Sequence, residues 1–220
     1  MTAVPDPGVV DVVFRLKGRT VPTEHAHVLR AAVCEQLPWL EQEPLAGIHQ
    51  IFGASSMNGW QRPEADALAP LVLSRRTALT LRLPEHRAGD AVVLTGKVLD
   101  LAGHHVEIGQ SRAKGIEPAP VLFARQVLCG ESVPEADFLR ETDAQLRERL
   151  PAMGTLVCGL TRLVSSDEGP LTARSLMLTG LRPESSARLQ REGFGGGRLL
   201  GCGLFSPHKG VGQLPAHDFD

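Results

Sequence analysis

Apolar and polar residues alternate at the start of the chain, over residues 9–16. A period of two is typical of a β-strand with one buried face, so this segment is predicted to be the first strand. Over residues 23–37 the apolar residues recur at helical spacing instead, and Thr23 can cap the helix that this spacing predicts. The remaining patterns of the first half predict strands at 48–52, 76–83 and 105–108, a helix at 85–99, and a long loop at 53–70 that is rich in Gly, Ser, Asn and Pro.

The same order of elements returns in the second half. Its patterns predict strands at 121–128, 156–164 and 173–181, helices at 135–150 and 183–191, and a last short strand after a glycine-rich loop. A strand-helix-strand-strand-helix-strand unit forms a four-stranded antiparallel sheet with two helices. We therefore predict an α+β fold of tandem ferredoxin-like units, which resemble RNA-recognition motifs. The predicted domains are residues 1–116 and residues 117–220, the second of which carries the glycine-rich loop.

The composition narrows the class of protein. With 42% hydrophobic residues the chain of 220 residues can bury a core, whereas its formal net charge of −2 lacks the positive charge that is typical of nucleic-acid binders. The four cysteines are scattered in apolar surroundings without zinc-binding spacing, so we expect reduced core residues rather than a zinc site. No apolar run approaches the roughly 20 residues that span a membrane, and the N-terminus lacks the pattern of a secretion signal. These features predict a cytoplasmic protein.

The most distinctive motif is the glycine-rich loop at 193–205, which contains Gly195, Gly196, Gly197 and Arg198. Glycine permits sharp turns, successive exposed N–H groups can bind phosphate oxygens, and an arginine can hold a phosphate with two hydrogen bonds. A nucleotide or a nucleic-acid backbone is therefore the first candidate ligand. The loop does not match the phosphate loop of nucleotidases, because no Lys-Ser or Lys-Thr follows its last glycine. The alternative is a tight connection without a ligand.

The chain resembles a known family on these features, the CRISPR-associated Cas6 endoribonucleases, and in particular their Myxococcus-type branch. The resemblance rests on the order of the two units and on the segments 14–19, 24–29, 47–49 and 193–209. It implies a nuclease that cuts CRISPR repeat precursor RNA into guide RNAs without a metal and leaves a cyclic phosphate end. It also implies that the partners are the repeat RNA, the mature guide RNA and the proteins of a CRISPR effector complex.

Such a cut needs a base that takes the proton of a ribose 2′-hydroxyl and a donor for the departing 5′-oxygen. Members of the family commonly place a histidine on or just after the first helix, sometimes together with a tyrosine or a lysine. This chain has no tyrosine, and its candidates in the first unit are His25, His27 and His49. His49 is the preferred base, because it follows the helix and because alternation turns it to the opposite sheet face from Ile48. For each histidine the alternative is a role in packing or on the solvated surface.

Basic residues and the glycine-rich loop are the predicted RNA contacts. They are Gly195, Gly196, Gly197, Arg198, His208, Lys209, Arg112 and Lys114. Arginine and lysine would pair with phosphates along the RNA backbone. The alternative for each basic residue is an ordinary solvated charge.

Two other functions stay open at this point. The missing tyrosine and the balanced charge favour a noncatalytic RNA-binding subunit with the same fold, in which the histidines are structural. Ferredoxin-like units also occur in enzymes and sensors of small molecules, because a fold alone does not determine a function.

Overall fold

The computed structural model describes residues 8–52, 69–150 and 152–208. Most of the loop predicted at 53–70, and Lys209, lie outside these residues. The helices are α1 (Ala26–Gln36), α2 (Glu135–Arg149) and α3 (Pro183–Glu192), and the strands are β1 (Val9–Lys17), β2 (Thr20–Val21), β3 (Gly47–Ile48), β4 (Leu71–Val72), β5 (Ala78–Pro84), β6 (Val98–Leu101), β7 (His104–Gly115), β8 (Leu122–Leu128), β9 (Leu156–Val164), β10 (Leu171–Leu178) and β11 (Phe205–Pro207). No helix of the described ranges is both long and apolar enough to cross a membrane.

The first sheet has the strand order β3-β5-β1-β7-β6, and all neighbouring strands in it are antiparallel. Alternation along its strands turns the apolar residues to one face, where they pack against α1. The core of this unit includes Val12, Phe14, Leu79, Leu81, Leu29 and Val33. The opposite face carries polar residues, because the register pairs Asp11 with Arg82 and Val13 with Thr80. This polar face is turned toward the second unit.

The second sheet has the order β11-β8-β10-β9 and is also antiparallel. Helices α2 and α3 cover one of its faces, and the core between them includes Leu122, Leu146, Leu176, Leu189 and Phe205. Strands β2 and β4 form a separate short ladder. The prediction of a mixed fold of helices and antiparallel sheets is confirmed. The domain boundary after residue 116 falls between β7 and β8 and stays a prediction.

The helix predicted at 85–99 is wrong. Two short 3₁₀ helices, Glu85–Arg87 and Asp90–Leu94, occupy this segment, and β6 follows them. Gly96 has a φ of +85°, a left-handed conformation that favours glycine and interrupts any longer helix. Exposed and buried residues then alternate along β6, which pairs with β7 as a hairpin.

Two predicted strands are shorter than expected. The segment 48–52 contributes only β3 to the sheet. The glycine-rich loop leads into a 3₁₀ turn at Arg198–Leu200, so β11 begins only at Phe205. Both differences lie where the two units meet, and a small buried cluster of Ala26, Val164, Ala173 and Cys202 joins α1, the second sheet and the glycine-rich loop.

Candidate active site

A cleft with a volume of about 160 Å³ opens between the two units, beside the polar face of the first sheet. The first unit contributes the segment that follows β3, and the second unit contributes β8 and the segment around β11. Residues that line the cleft include His49, Phe52, Phe123, Arg125, Ser206 and His208. Two of the residues predicted from the sequence, His49 and His208, are therefore brought together.

His49 lies directly after β3, and its N–H donates to the carbonyl of Thr80 at 2.9 Å. This hydrogen bond continues the sheet pairing by one residue and places the imidazole on the polar face. The side chain is 18% exposed, whereas its Nε2 atom is buried and has no hydrogen-bond partner among the described residues. Nε2 lies 3.9 Å from Oδ1 of Asp11, which is too long for a hydrogen bond.

Burial is the largest influence on His49 and lowers its pKa to about 3. The positive charges of Arg82, Arg198 and Arg125 act in the same direction, while the carboxylate of Asp11 opposes them. The ring is therefore neutral at neutral pH, which is the form that a general base requires. Because Asp11 faces Nε2, a proton on Nε2 leaves Nδ1 as the nitrogen that can accept another.

Asp11 and Arg82 form a largely buried ion pair behind His49. Nε and Nη2 of Arg82 donate to the two carboxylate oxygens of Asp11 at 2.9 and 3.0 Å. Its Nη1 donates to the carbonyls of Gln190 and Phe205 in the second unit. Burial alone would raise the pKa of Asp11, but the hydrogen bond and the charge of Arg82 lower it overall. The pair keeps a carboxylate beside His49 and ties the two units together.

Arg198, in the glycine-rich loop, holds the chain segment that leads to His49. Its Nε and Nη2 donate to the carbonyls of residues 46 and 45 at 3.1 and 2.7 Å. Nη1 and Nη2 also donate to the carbonyls of residues 192 and 191 at the end of α3. Burial, followed by the charge of Arg82, lowers the pKa of Arg198 to about 10, so its guanidinium stays charged at neutral pH. This guanidinium is engaged with carbonyl groups, and its contact with phosphate stays a prediction.

The end of the glycine-rich loop approaches the same segment closely. Gly201 has a φ of +83°, and a Cβ atom there would lie 2.8 Å from Cγ of Gln50 and 3.2 Å from the carbonyl oxygen of Ile48. Nε2 of Gln50 donates to the carbonyl of Leu200 at 3.1 Å. Both the left-handed backbone and the close approach require glycine at this position. The loop therefore supports the residues on either side of His49.

Gly195, Gly196 and Gly197 line a second cavity of about 360 Å³, which does not include His49. Their N–H groups donate to no acceptor among the described residues. Gly195 and Gly197 have φ angles of +74° and +75°, and such turns can point successive N–H groups at an anion. The same cavity contains Arg30, which pairs with Glu41 at 2.7 Å. A contact of these glycines with RNA stays a prediction.

His25 is fully hydrogen-bonded and 2% exposed. Its Nδ1 donates to the carbonyl of Pro22 at 2.8 Å, and the N–H of Ile51 donates to its Nε2 at 2.9 Å. Burial lowers the pKa of His25, and the hydrogen bond to Pro22 opposes that effect. His25 also takes the position before α1 that we predicted for Thr23, although its side chain makes no capping hydrogen bond. With both ring nitrogens occupied, the geometry supports the packing alternative for His25.

His27 links α1 to the turn between β9 and β10. Its Nδ1 lies 2.7 Å from Oδ1 of Asp167, and its backbone N–H donates to the hydroxyl of Ser165 at 3.2 Å. Arg30 binds the same carboxylate at 2.9 Å. His27 does not belong to the residues that line the cleft of His49. Its surroundings favour a structural link between the two units.

Arg112 and Lys114 are exposed on β7. The register places Lys114 opposite Asp11 and Arg112 opposite Val13, so both side chains share the polar face of the first sheet with His49. They form a basic part of the face that leads to the cleft. Their contact with RNA stays a prediction.

The second unit adds aromatic and basic groups to the cleft. The rings of Phe123 and His208 have centroids 5.6 Å apart, and the guanidinium of Arg125 lies 3.8 Å from the centroid of Phe52. Sequence reasoning missed Phe123 and Arg125 as site residues, although Arg125 stands out as a charge within an apolar strand. Across the described ranges, no three His, Cys, Asp or Glu side chains converge where they could hold a metal ion.

Comparisons with known proteins agree on one family. The family model described as "Cas6 Crispr" matches residues 10–210. The CRISPR-associated endonuclease Cas6 of Myxococcus xanthus (strain DK1622) is 31% identical over 208 residues, which are 94% of this chain and 85% of that protein.

Solved structures share the fold. A structure described as "CRISPR associated protein Cas6" matches with a TM-score of 0.61 at 10% identity, over 91% of this chain and 100% of that one. A Cas6-related protein of Pyrococcus furiosus matches with a TM-score of 0.59 at 14% identity, over 92% and 99% of the two chains. A RAMP protein described as binding different RNA substrates matches with a TM-score of 0.61 at 11% identity, over 90% and 98%. At these identities the likeness concerns the fold alone.

Proposed function

Because this chain belongs to the Cas6 family of CRISPR proteins, we propose that it is a metal-independent endoribonuclease that cuts CRISPR repeat precursor RNA into guide RNAs. The relative from Myxococcus xanthus is named an endonuclease, and the RAMP protein of similar fold is described as binding RNA. One observation carries the proposal: His49 is a neutral imidazole whose Nε2 atom faces the carboxylate of Asp11, and its ring lines a cleft between the two units.

His49 is the base of the proposed reaction. It takes the proton of the 2′-hydroxyl, the 2′-oxygen attacks the adjacent phosphorus, and the 5′-oxygen departs, which leaves a 2′,3′-cyclic phosphate and a 5′-hydroxyl. The carboxylate of Asp11, 3.9 Å from Nε2, stabilises the imidazolium that forms. A bound phosphate adds a second negative charge next to His49 and raises its pKa toward neutrality, where a base works best. Arg125, which lines the same cleft, supplies positive charge.

The RNA would reach His49 along the polar face of the first sheet. Arg112 and Lys114 lie on that face, and the N–H groups of the glycine-rich loop lie at the boundary of the two units. We propose these groups as contacts for the phosphates of the repeat RNA and of the guide RNA that remains after cleavage. Proteins of a CRISPR effector complex are the further partners that we propose.

We also infer that each unit is ferredoxin-like. In the first sheet β1 lies between β5 and β7, and in the second sheet β8 lies between β10 and β11. In both units the first long strand is central and the last strand returns to its side, as the predicted topology requires. In the first unit, 3₁₀ turns replace the second helix.

A noncatalytic RNA-binding subunit is the second candidate. It is favoured by the pKa of about 3 of His49, which makes the histidine a weak proton acceptor as long as no phosphate is bound. In that case the cleft would hold RNA without cutting it.

The decisive experiment incubates the protein in EDTA with the CRISPR repeat RNA encoded nearest to its gene. We expect a cut at one site, a cyclic phosphate end, and a His49→Ala variant that binds the RNA with unchanged affinity but does not cut it. His105→Ala is the matched control, because His105 is an exposed histidine on β7 outside the cleft. Tight binding without any cut by the wild type would support the noncatalytic subunit, and equal cutting by His49→Ala would exclude His49 as the base.

A further inference from the structure

The proposed reaction needs a second proton transfer, because the departing 5′-oxygen must be protonated as its bond to phosphorus breaks. His49 begins neutral and accepts a proton, so it does not start as the donor. Of the other described residues that line the cleft, Arg125 keeps its proton at any accessible pH and Ser206 carries an un-ionised hydroxyl. The remaining side chain of the cleft with ring nitrogens that can both donate and accept a proton is the imidazole of His208.

The structure positions His208 from the second unit. It follows β11 directly, and its N–H donates at 3.0 Å to the carbonyl of Val121, the residue before β8. Its ring packs against Phe123 with 5.6 Å between the centroids and an angle of 60° between the planes. His208 is exposed, so a substrate can reach it.

We infer that His208 is the general acid of this enzyme and that it acts across the cleft from His49. The inference rests on the proposed nuclease function. The 2′-hydroxyl gives its proton to His49 while the 2′-oxygen bonds to phosphorus. The bond from phosphorus to the 5′-oxygen breaks, and the imidazolium of His208 gives its proton to that oxygen. Afterwards His49 is protonated and His208 is neutral, and proton exchange with water restores both.

The test replaces the bridging 5′-oxygen at the cleavage site by sulfur. A thiolate leaves without being protonated, so the sulfur substrate does not need a general acid. We expect His208→Ala and His208→Phe to cut the ordinary RNA about 10²-fold or more slowly than the wild type, and to cut the sulfur substrate within a few-fold of the wild-type rate. His208→Phe keeps an aromatic ring against Phe123, so it separates proton transfer from packing.

Two further variants complete the experiment. His49→Ala should be slow on both substrates, because the base is needed whichever atom leaves, and His105→Ala should match the wild type on both. His208 variants that slow both substrates equally, or neither of them, would overturn the inference while leaving the nuclease intact. A wild type that cuts neither substrate in EDTA would instead overturn the proposed function, and the general acid with it.

Discussion

The surroundings of His25 and of His49 show how differently one chain can bury two histidines. Both side chains lie in the first unit, and burial lowers the pKa of each. Around His25 the backbone occupies both ring nitrogens, since Pro22 accepts one hydrogen bond and Ile51 donates another. Around His49, Nε2 has no hydrogen bond to the described chain and lies 3.9 Å from Oδ1 of Asp11, and a cleft opens beside the ring. A lowered pKa alone therefore does not indicate a reactive histidine. The two residues differ in whether hydrogen bonds to the backbone occupy both ring nitrogens.

The largest expected effect concerns catalysis at His49. We expect His49→Ala to slow single-turnover cleavage of the repeat RNA by about 10²–10⁴-fold, the usual contribution of a general base. Its free energy of unfolding should change little, because the substitution removes a buried polar atom that has no hydrogen bond. Rates from rapid quenching and stabilities from urea titration measure the two quantities separately. A His49→Ala variant that is strongly destabilised but still cuts when folded would contradict the catalytic role and give His49 a structural role like that of His25.

The next effect concerns the arginine that supports the segment before His49. Arg198→Met removes hydrogen bonds to four carbonyls and leaves them at a buried boundary. We expect the free energy of unfolding to fall by about 3–5 kcal/mol, because four partly buried carbonyls lose a charged hydrogen-bond donor and each unsatisfied group costs about 1–3 kcal/mol at most. Arg140→Met is the control, because Arg140 is exposed and its pair with Asp137 should contribute less than about 1 kcal/mol. If both variants have the same stability in urea titration, the carbonyls have found other partners.

A smaller effect is expected at His25. His25→Ala leaves the carbonyl of Pro22 and the N–H of Ile51 without their partner, at a cost of about 1–3 kcal/mol for a buried unsatisfied group. Cleavage by the folded variant should stay within a few-fold of the wild type. Chemical denaturation and a cleavage assay at a temperature well below the unfolding transition measure the two effects. A rate as low as that of His49→Ala in a folded protein would contradict the structural role of His25.

The smallest effect is the pH dependence of stability. In the unfolded chain both histidines have a pKa near 6.5, and in the folded protein both values are lower, to about 3 for His49. Below pH 6.5 the unfolded chain binds protons that the folded protein does not bind, so stability is fully present above this pH and is lost as the pH falls. We expect His49 alone to lower the free energy of unfolding by about 1–2 kcal/mol between pH 7 and pH 5.

This pH dependence can be assigned by variants. His49→Ala should lose less stability than the wild type between the two pH values, and urea titrations at both values provide the comparison. An unchanged pH dependence in the variant would mean that His49 binds its proton equally well in the folded and the unfolded chain.

Elements in which apolar and polar residues recur at a regular spacing were predictable from the sequence. Alternation identified β1 and β5 and the face to which His49 turns, because side-chain direction in a strand depends on local geometry alone. The prediction of a helix at 85–99 was wrong, because apolar residues at mixed spacing fit both a helix and a pair of turns followed by a strand. Gly96 lies between the turns and β6, and its φ of +85° is incompatible with a helix that continues through it.

The surroundings of the candidate base were less predictable. Asp11 and Arg82 both stood on the polar sides of predicted strands, but their ion pair depends on the strand order and register of the folded sheet. Arg198 was predicted to bind phosphate, since an arginine among glycines suggests an anion site. In the structure it donates to the backbone carbonyls of residues 45, 46, 191 and 192, which no residue type in the sequence reveals, and its contact with phosphate stays a prediction.

The choice of carbonyls as partners has an evolutionary consequence. Arg82 and Arg198 join the two units by donating hydrogen bonds to backbone carbonyls of the other unit. These hydrogen bonds do not depend on which side chains the accepting residues carry. Substitutions at the accepting residues can accumulate without weakening the contact between the units, provided that the backbone keeps its path. A contact of this kind allows most residues of the protein to change during evolution, as recognition of a new RNA would demand, while the two units keep their relative orientation.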